Sequence, residues 1–116
     1  RLHLHSVIRS NDMMLGCPFD TIGFALLQCM LAQKLGVIAG VYTHTISNAH
    51  IYENHYAGAE EIITRTNDHK NITLHLPENA FDRAEKKDEA LVEEIFTDLQ
   101  SQYNPLPPIT GLEIAL

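Results

Sequence analysis

Arg9-Ser10-Asn11-Asp12, followed closely by Leu15-Gly16-Cys17-Pro18-Phe19-Asp20, is the stretch on which the reading of this chain turns. It sets a guanidinium, a hydroxyl and two further polar side chains beside a Gly-x-Pro turn, and it separates two segments of different period. Before it, residues 1–8 alternate, with Leu2, Leu4, Ser6 and Ile8 on one side and His3, His5 and Val7 on the other, as in a β-strand. After it, Ile22, Ala25, Leu26, Cys29, Met30 and Leu35 recur at three- and four-residue steps, as on a helix. Residues 9–19 read as the loop between the two. Asp20 or Thr21 is the expected N-cap, and Gly36 the expected C-terminal stop. The helix is so apolar that burial on most of its faces is expected.

Beyond the helix, residues 37–46 are rich in β-branched and aromatic side chains and predict a second strand, with Gly40 marking a turn or bulge. Next comes a second polar block, His44-Thr45-Ile46-Ser47-Asn48-Ala49-His50-Ile51-Tyr52-Glu53-Asn54-His55. Helical spacing returns over residues 48–65, and residues 71–76 alternate as a strand that stops at Pro77. Residues 84–100 predict an amphipathic helix through Leu91, Val92, Ile95, Phe96 and Leu99. The fold class is therefore α+β, with a long buried helix packed on a twisted mixed sheet.

The bulk properties narrow the function classes. A chain of 116 residues has the length of one domain with a single modest core. The net charge of −7, with only eight basic residues, argues against a nucleic-acid partner, whose phosphates call for clustered Lys and Arg. A single mononucleotide phosphate needs only one or two arginines, so that class stays open. No run approaches the roughly 20 apolar residues of a membrane span, and no signal-peptide pattern opens the chain. Two cysteines do not make a disulfide framework, which fits a reducing, cytoplasmic setting. The chain enters a strand pattern directly at Arg1 without a methionine, so it is expected to be the C-terminal piece of something longer.

Together, the two polar blocks resemble the nucleotide-binding half of thymidylate synthase and its relative deoxycytidylate hydroxymethylase. In that family the pattern reads Arg-Ser-x-Asp-x-x-Leu-Gly-x-Pro-Phe-Asn, then His-Thr-x-Gly-Asp-x-His-x-Tyr-x-Asn-His. The resemblance covers roughly residues 1–76 and resumes at Tyr103-Asn104-Pro105-Leu106-Pro107. On this reading, residues 1–116 are the C-terminal nucleotide-binding part of a thymidylate-synthase-like domain, with an atypical helical insertion at about 82–100. The resemblance implies one-carbon transfer from 5,10-methylene-tetrahydrofolate to C5 of a pyrimidine deoxynucleotide monophosphate, in a homodimer built by packing sheet on sheet. It also implies a thiolate nucleophile from an upstream Pro-Cys-His segment, with a glutamate and a tryptophan beside it. These residues are not among the 116, so the chain alone is expected to bind poorly and to catalyse nothing. A non-catalytic nucleotide-binding or regulatory module that kept the fold is the alternative.

The resemblance distributes substrate-binding roles that the chemistry can carry. Arg9 offers a planar fork of donors matched to phosphate oxygens, and Ser10 a short hydroxyl bond; read alone, Arg9 is more readily a surface arginine in a polar loop. Asp12 matches the family aspartate whose backbone reaches the pyrimidine. His50 and Tyr52 match the pair that bonds the deoxyribose 3′-hydroxyl, since imidazole and phenol can each donate or accept. Without the surrounding block they read equally well as a satisfied core histidine and plain packing. Asp20 stands where the family carries an asparagine that reads the base edge. An ionised carboxylate cannot donate to O4 of uracil, but it accepts from the 4-amino group of cytosine, so Asp20 tilts the base toward deoxycytidylate; the simpler role is a helix cap. Ser47-Asn48 replaces the family's Gly-Asp and removes a carboxylate. Cys17 reads as structural. His3-x-His5 lacks the cysteine or carboxylate cluster of a zinc site, so no metal is expected.

Overall fold

The computed structural model describes residues 1–67 and 71–114. Strand β1 (Leu2–Asp12), helix α1 (Gly16–Lys34) and strand β2 (Ala39–His50) come first. A 3-10 turn at Glu53–His55 leads into α2 (Tyr56–Thr64), followed by α3 (Ala80–Glu85) and α4 (Glu89–Gln102). β1 and β2 pair in parallel with α1 as their crossover, Ser6 opposite His44 and Asp12 opposite His50. The class is α+β, as the periodicities indicate.

β1 does not stop at residue 8. Ser10, Asn11 and Asp12 pair with Asn48, Ala49 and His50, so the first polar block lies on a strand and not in a loop. Polar residues of low strand propensity extend here because the second polar block supplies their cross-strand partners, a tertiary effect that no local propensity contains. The connection shrinks to Met13–Leu15, and α1 starts at Gly16 with Leu15 as N-cap and no side-chain cap. Pro18 is tolerated in the first turn because its missing N–H would have had no helical partner there. Neither Asp20 nor Thr21 is therefore the cap; both lie inside the helix. The expected stop is where it should be. Gly36 has φ +65°, and its N–H reaches Gln33 while that of Val37 reaches Ala32, closing a Schellman motif.

Burial of α1 is narrower than its composition implies. Only Gln28 and Ala32 are buried, while Phe19 and Ile22 are 80% and 67% exposed. The sheet and α3 pack on the helix, and Leu26 and Met30 reach the Ala80–Leu91–Ile95 cluster, but Phe19 and Ile22 stay exposed. Gln28 spans the two strands, donating to the Leu2 carbonyl at 2.9 Å and the Val41 carbonyl at 3.2 Å. It does so where the register slips, Leu2 facing Ala39 but Leu4 facing Tyr42, which is the bulge expected at Gly40. A Cβ on Gly40 would sit 2.7 Å from the His3 ring.

The second half departs further from the periodicity. Residues 48–50 continue β2, and Tyr52 is still extended, so the helix expected from residue 48 begins only at Tyr56. Residues 71–76 form no strand, yet their alternation has a use. Leu74 and Leu76 pack on the buried cluster of Ala80, Leu91 and Ile95. The Thr73 backbone pairs with the Gln102 side chain, and the His75 N–H with Asp98. Side chains of α4 thus take the place of a neighbouring strand. The helix expected over 84–100 is α4, with Leu91 and Ile95 buried and Leu99 packed beside them, but Val92 and Phe96 face outward. Asp88 caps α4 by accepting from the Ala90 N–H at 3.0 Å. Arg83 clasps Asp88 at 2.7 Å and Glu94 at 2.6 Å. Those bonds raise the guanidinium pKa, Glu94 contributing most, and Arg83 in turn holds the Asp88 carboxyl below its usual range. Among the described residues no helix is long and apolar enough to cross a membrane.

Candidate functional site

Both polar blocks end at the same place. Because β1 and β2 are parallel, Ser10–Asp12 and Asn48–His50 lie together at the carboxyl ends of the strands, beside the start of α1. This is where open sheets of parallel strands take small ligands.

Ser10 lies within 3.3 Å of His50 Nδ1, and the Asn48 side-chain amide donates to its hydroxyl at 3.2 Å. The His50 and Tyr52 rings meet edge to face with centroids 5.0 Å apart. His50 and Tyr52 are thus brought together on extended backbone, with Ser10 across the strand pair. Asp12 is half-buried and turns one carboxylate oxygen onto the Met14 N–H at 3.0 Å, fixing the exit from β1. Arg9 stands apart. It belongs to the exposed set of β1 with His3, His5 and Val7, whereas Ser10 belongs to the half-buried set, so strand alternation sends the two side chains to opposite sides. Among the described residues the Arg9 guanidinium has no hydrogen-bond partner.

Asp20 is held by a residue that sequence reasoning passed over. The buried Asn11 amide donates to Asp20 Oδ2 at 2.8 Å, while Asn11 Oδ1 meets His44 Nε2 at 2.9 Å. His44 Nδ1 lies 2.5 Å from the Tyr42 hydroxyl, which is 2.7 Å from Ser6 Oγ. Asn11 is five positions beyond Ser6, the register partner of His44, so the end of β1 must curl over the helix start for these side chains to meet. Gly16 leaves the room: a Cβ there would come within 3.3 Å of the Asn11 amide nitrogen. The signal was present, since Asn11 occupies the open position of the Arg-Ser-x-Asp pattern and His44 opens the second block. What was missing is the distance between them.

His55 ends the 3-10 turn. It is fully buried, donating from Nε2 to the Glu113 carbonyl at 2.7 Å, and the Asn54 amide joins it on that carbonyl at 3.1 Å. The pair ties the segment after α4 to the 3-10 turn below the His50–Tyr52 cluster. Of the histidines that raised the question of zinc, His3 accepts the Val41 N–H at 3.0 Å and His5 lies 2.7 Å from the Thr45 hydroxyl. Cys17 lies 3.8 Å from the Thr21 hydroxyl in the first turns of α1.

Fold and site define a class: an α+β domain whose polar cluster sits at the carboxyl ends of parallel strands. The chain belongs to the thymidylate synthase family, whose model matches residues 1–111. A thymidylate synthase from Clostridium beijerinckii is 47% identical to it over 68 residues, a stretch covering 59% of this chain and 26% of that relative. The chain therefore spans about a quarter of the length of the curated relative it matches.

Proposed function

We propose that this chain is the nucleotide-binding part of an enzyme that moves a one-carbon unit from 5,10-methylene-tetrahydrofolate to C5 of a pyrimidine deoxynucleotide monophosphate. The observation that carries the proposal is the convergence of Ser10, His50, Tyr52 and the Asn11–Asp20 pair at the carboxyl ends of β1 and β2, in a chain of this family. In this reading Ser10 and Arg9 hold the phosphate, and His50 with Tyr52 holds the 3′-hydroxyl. The Asp12 backbone borders the pyrimidine, and Asp20 reads its 4-position. Arg9 reaches the phosphate only if the ligand bridges the edge of β1, since its side chain leaves the opposite side from Ser10. The exposed side of the sheet, with Val7 and Val41 both more than 60% exposed, supports the homodimer that the family resemblance implies. On this reading the protein works in the cytoplasm on small molecules rather than on nucleic acid or a membrane, which its net charge of −7 and few basic residues support.

Asp20 favours a cytosine nucleotide. A carboxylate accepts from the 4-amino group and repels O4 of uracil, and a mispaired polar group in a buried site costs about 1–3 kcal/mol, enough to reverse a base preference. The fate of the transferred carbon, hydroxymethyl or methyl, depends on water around the folate and not on Asp20. Transfer to deoxyuridylate is the adjoining reading. The test is release of tritium from C5-labelled deoxycytidylate and deoxyuridylate by the intact protein, wild type and Asp20→Asn. A deoxycytidylate preference that Asp20→Asn reverses is expected. A deoxyuridylate preference that the substitution leaves unchanged removes the base-reading role.

One observation favours a binding module without catalysis: Asn48, in place of the family aspartate, spends its amide on the Ser10 hydroxyl. A Pro-Cys-His segment in the complete reading frame decides for the enzyme, and its absence there decides for the module.

A further inference from the structure

We propose that Asn11 is a specificity-determining positioning residue, which takes one oxygen of Asp20 so that the other is aimed at the base. The proposal rests on the reading of Asp20 as the base-reading group. Among the described residues the Asp20 carboxylate has one hydrogen bond, from the Asn11 amide to Oδ2 at 2.8 Å; Oδ1 accepts none. A carboxylate without such a tether is symmetric about its terminal torsion and can turn either oxygen, or its flat face, toward a ligand. The Asn11 bond removes that freedom. It leaves one acceptor, suited to a single exocyclic amino group.

Asn11 does not choose its own orientation. Its two ends are a donor and an acceptor of nearly equal size, and only their partners tell them apart. Facing the carboxylate, the amide must present N–H, so the carbonyl end faces His44 and His44 Nε2 must carry a proton. In the neutral ring, Nδ1 is then an acceptor. It takes the Tyr42 hydroxyl proton at 2.5 Å, and the Ser6 hydroxyl can donate to Tyr42 at 2.7 Å. The Ser6 hydroxyl also lies 3.1 Å from His44 Nδ1, and with either acceptor the donors of Tyr42, His44 and Asn11 point the same way, toward Asp20, where such bonds polarise one another. Asn11 is 4% exposed, so water competes weakly for its amide. The chain runs from the middle of the strand pair to the helix and couples base recognition to the fold beneath it.

The inference is tested by equilibrium binding of deoxycytidylate and deoxyuridylate to the intact protein as wild type, Asn11→Ala, Asp20→Ala and the double variant. A lost hydrogen bond to a charged group predicts that Asn11→Ala weakens deoxycytidylate binding by about tenfold. Deoxyuridylate should change by less than about twofold, because the released carboxylate can turn away from O4. In the Asp20→Ala background the same substitution should leave the ratio of the two dissociation constants unchanged, since Asn11 then has nothing to aim. His44→Phe, which leaves the Asn11 amide free to invert, should lower the ratio in the same direction and provides the test if Asn11→Ala does not fold. A residue that merely supports the fold would weaken both nucleotides together. If Asp20→Ala abolishes discrimination while Asn11→Ala and His44→Phe leave the ratio at its wild-type value, the positioning role is overturned and the base reading stands. If Asp20→Ala leaves discrimination intact, the base reading falls and the positioning role falls with it.

Discussion

Replacing Gln28 by leucine puts the joint between helix and sheet under direct test. Gln28 is 3% exposed, and its side-chain amide donates to the carbonyls of Leu2 and Val41, one on each strand beside the register slip. Leucine nearly matches its volume, so packing changes little. Two carbonyls beside the register slip lose the donor that a buried side chain supplied, and an acceptor left unsatisfied out of reach of water costs about 1–3 kcal/mol. Added apolar burial returns part of that, so the expected net loss is about 2–4 kcal/mol. A chain of 116 residues has a total stability of about 6–17 kcal/mol, so this is a sizeable fraction. It corresponds to a fall in Tm of about 10 °C. Gln28→Glu should be worse, because it aims an acceptor at two acceptors. The assay is urea unfolding followed by far-UV circular dichroism, in which the midpoint should drop at constant slope. A Gln28→Leu variant within about 0.5 kcal/mol of wild type would refute the reasoning and show that the bulge carbonyls are satisfied without the glutamine.

Three further outcomes follow from the packing and the charges. Leu91→Ala empties the centre of the Ala80–Leu91–Ile95 cluster and should cost about 2–5 kcal/mol in the same denaturation assay, with Val92→Ala, on the exposed side of α4, within about 0.5 kcal/mol. Gly40→Ala should destabilise, because its Cβ would sit 2.7 Å from the His3 ring and displace the bond from the Val41 N–H; His3→Ala in the same chain should recover most of the loss. Acid should loosen the start of α4. The Asp88 carboxyl is lowered from its ordinary 3.8, mainly by Arg83, so its contribution is complete above that value and is lost as pH falls through the depressed one. NMR titration of the Asp88 carboxyl should show a midpoint below 3.8 that Arg83→Met moves upward; an unmoved midpoint would contradict the clasp.

The parts legible in the sequence share a cause: each is set within one or two turns of chain. The Leu2–Ile8 alternation depends on local period, the Gly36 stop on a backbone that only glycine adopts easily, and the Gly40 bulge on room that only glycine leaves. The positions of Ser10, His50 and Tyr52 followed from a motif, and His50 and Tyr52 share an extended segment with Ser10 across the ladder. The errors have a cause as well. Residues 9–12 read as loop because Arg, Ser, Asn and Asp favour turns, and residues 48–50 read as helix from their apolar spacing. Each block is strand because the other is beside it. The Ile72–Leu76 alternation marked a real one-sided contact, but the opposite side belonged to Gln102 and Asp98 of α4 and not to another strand. Gln28 is a polar residue in an apolar helix, and nothing nearby in the chain announces the two carbonyls at the bulge that its amide reaches.

By itself the sequence determined the α+β class, the order of strand, helix and strand, and the polar side chains of the two blocks, because these rest on period and residue identity that survive in one dimension. Tertiary structure alone decided that Arg9 and Ser10 part company and that Asp20 is tethered rather than capping. It also decided that Asn11, His44 and Tyr42 stand in line behind Asp20. Those facts depend on strand register and on the end of β1, which set Asn11 beside Asp20, nine positions away, and beside His44, thirty-three positions away. A hydrogen bond needs its donor and acceptor within about 3 Å. No spacing along the chain encodes that distance.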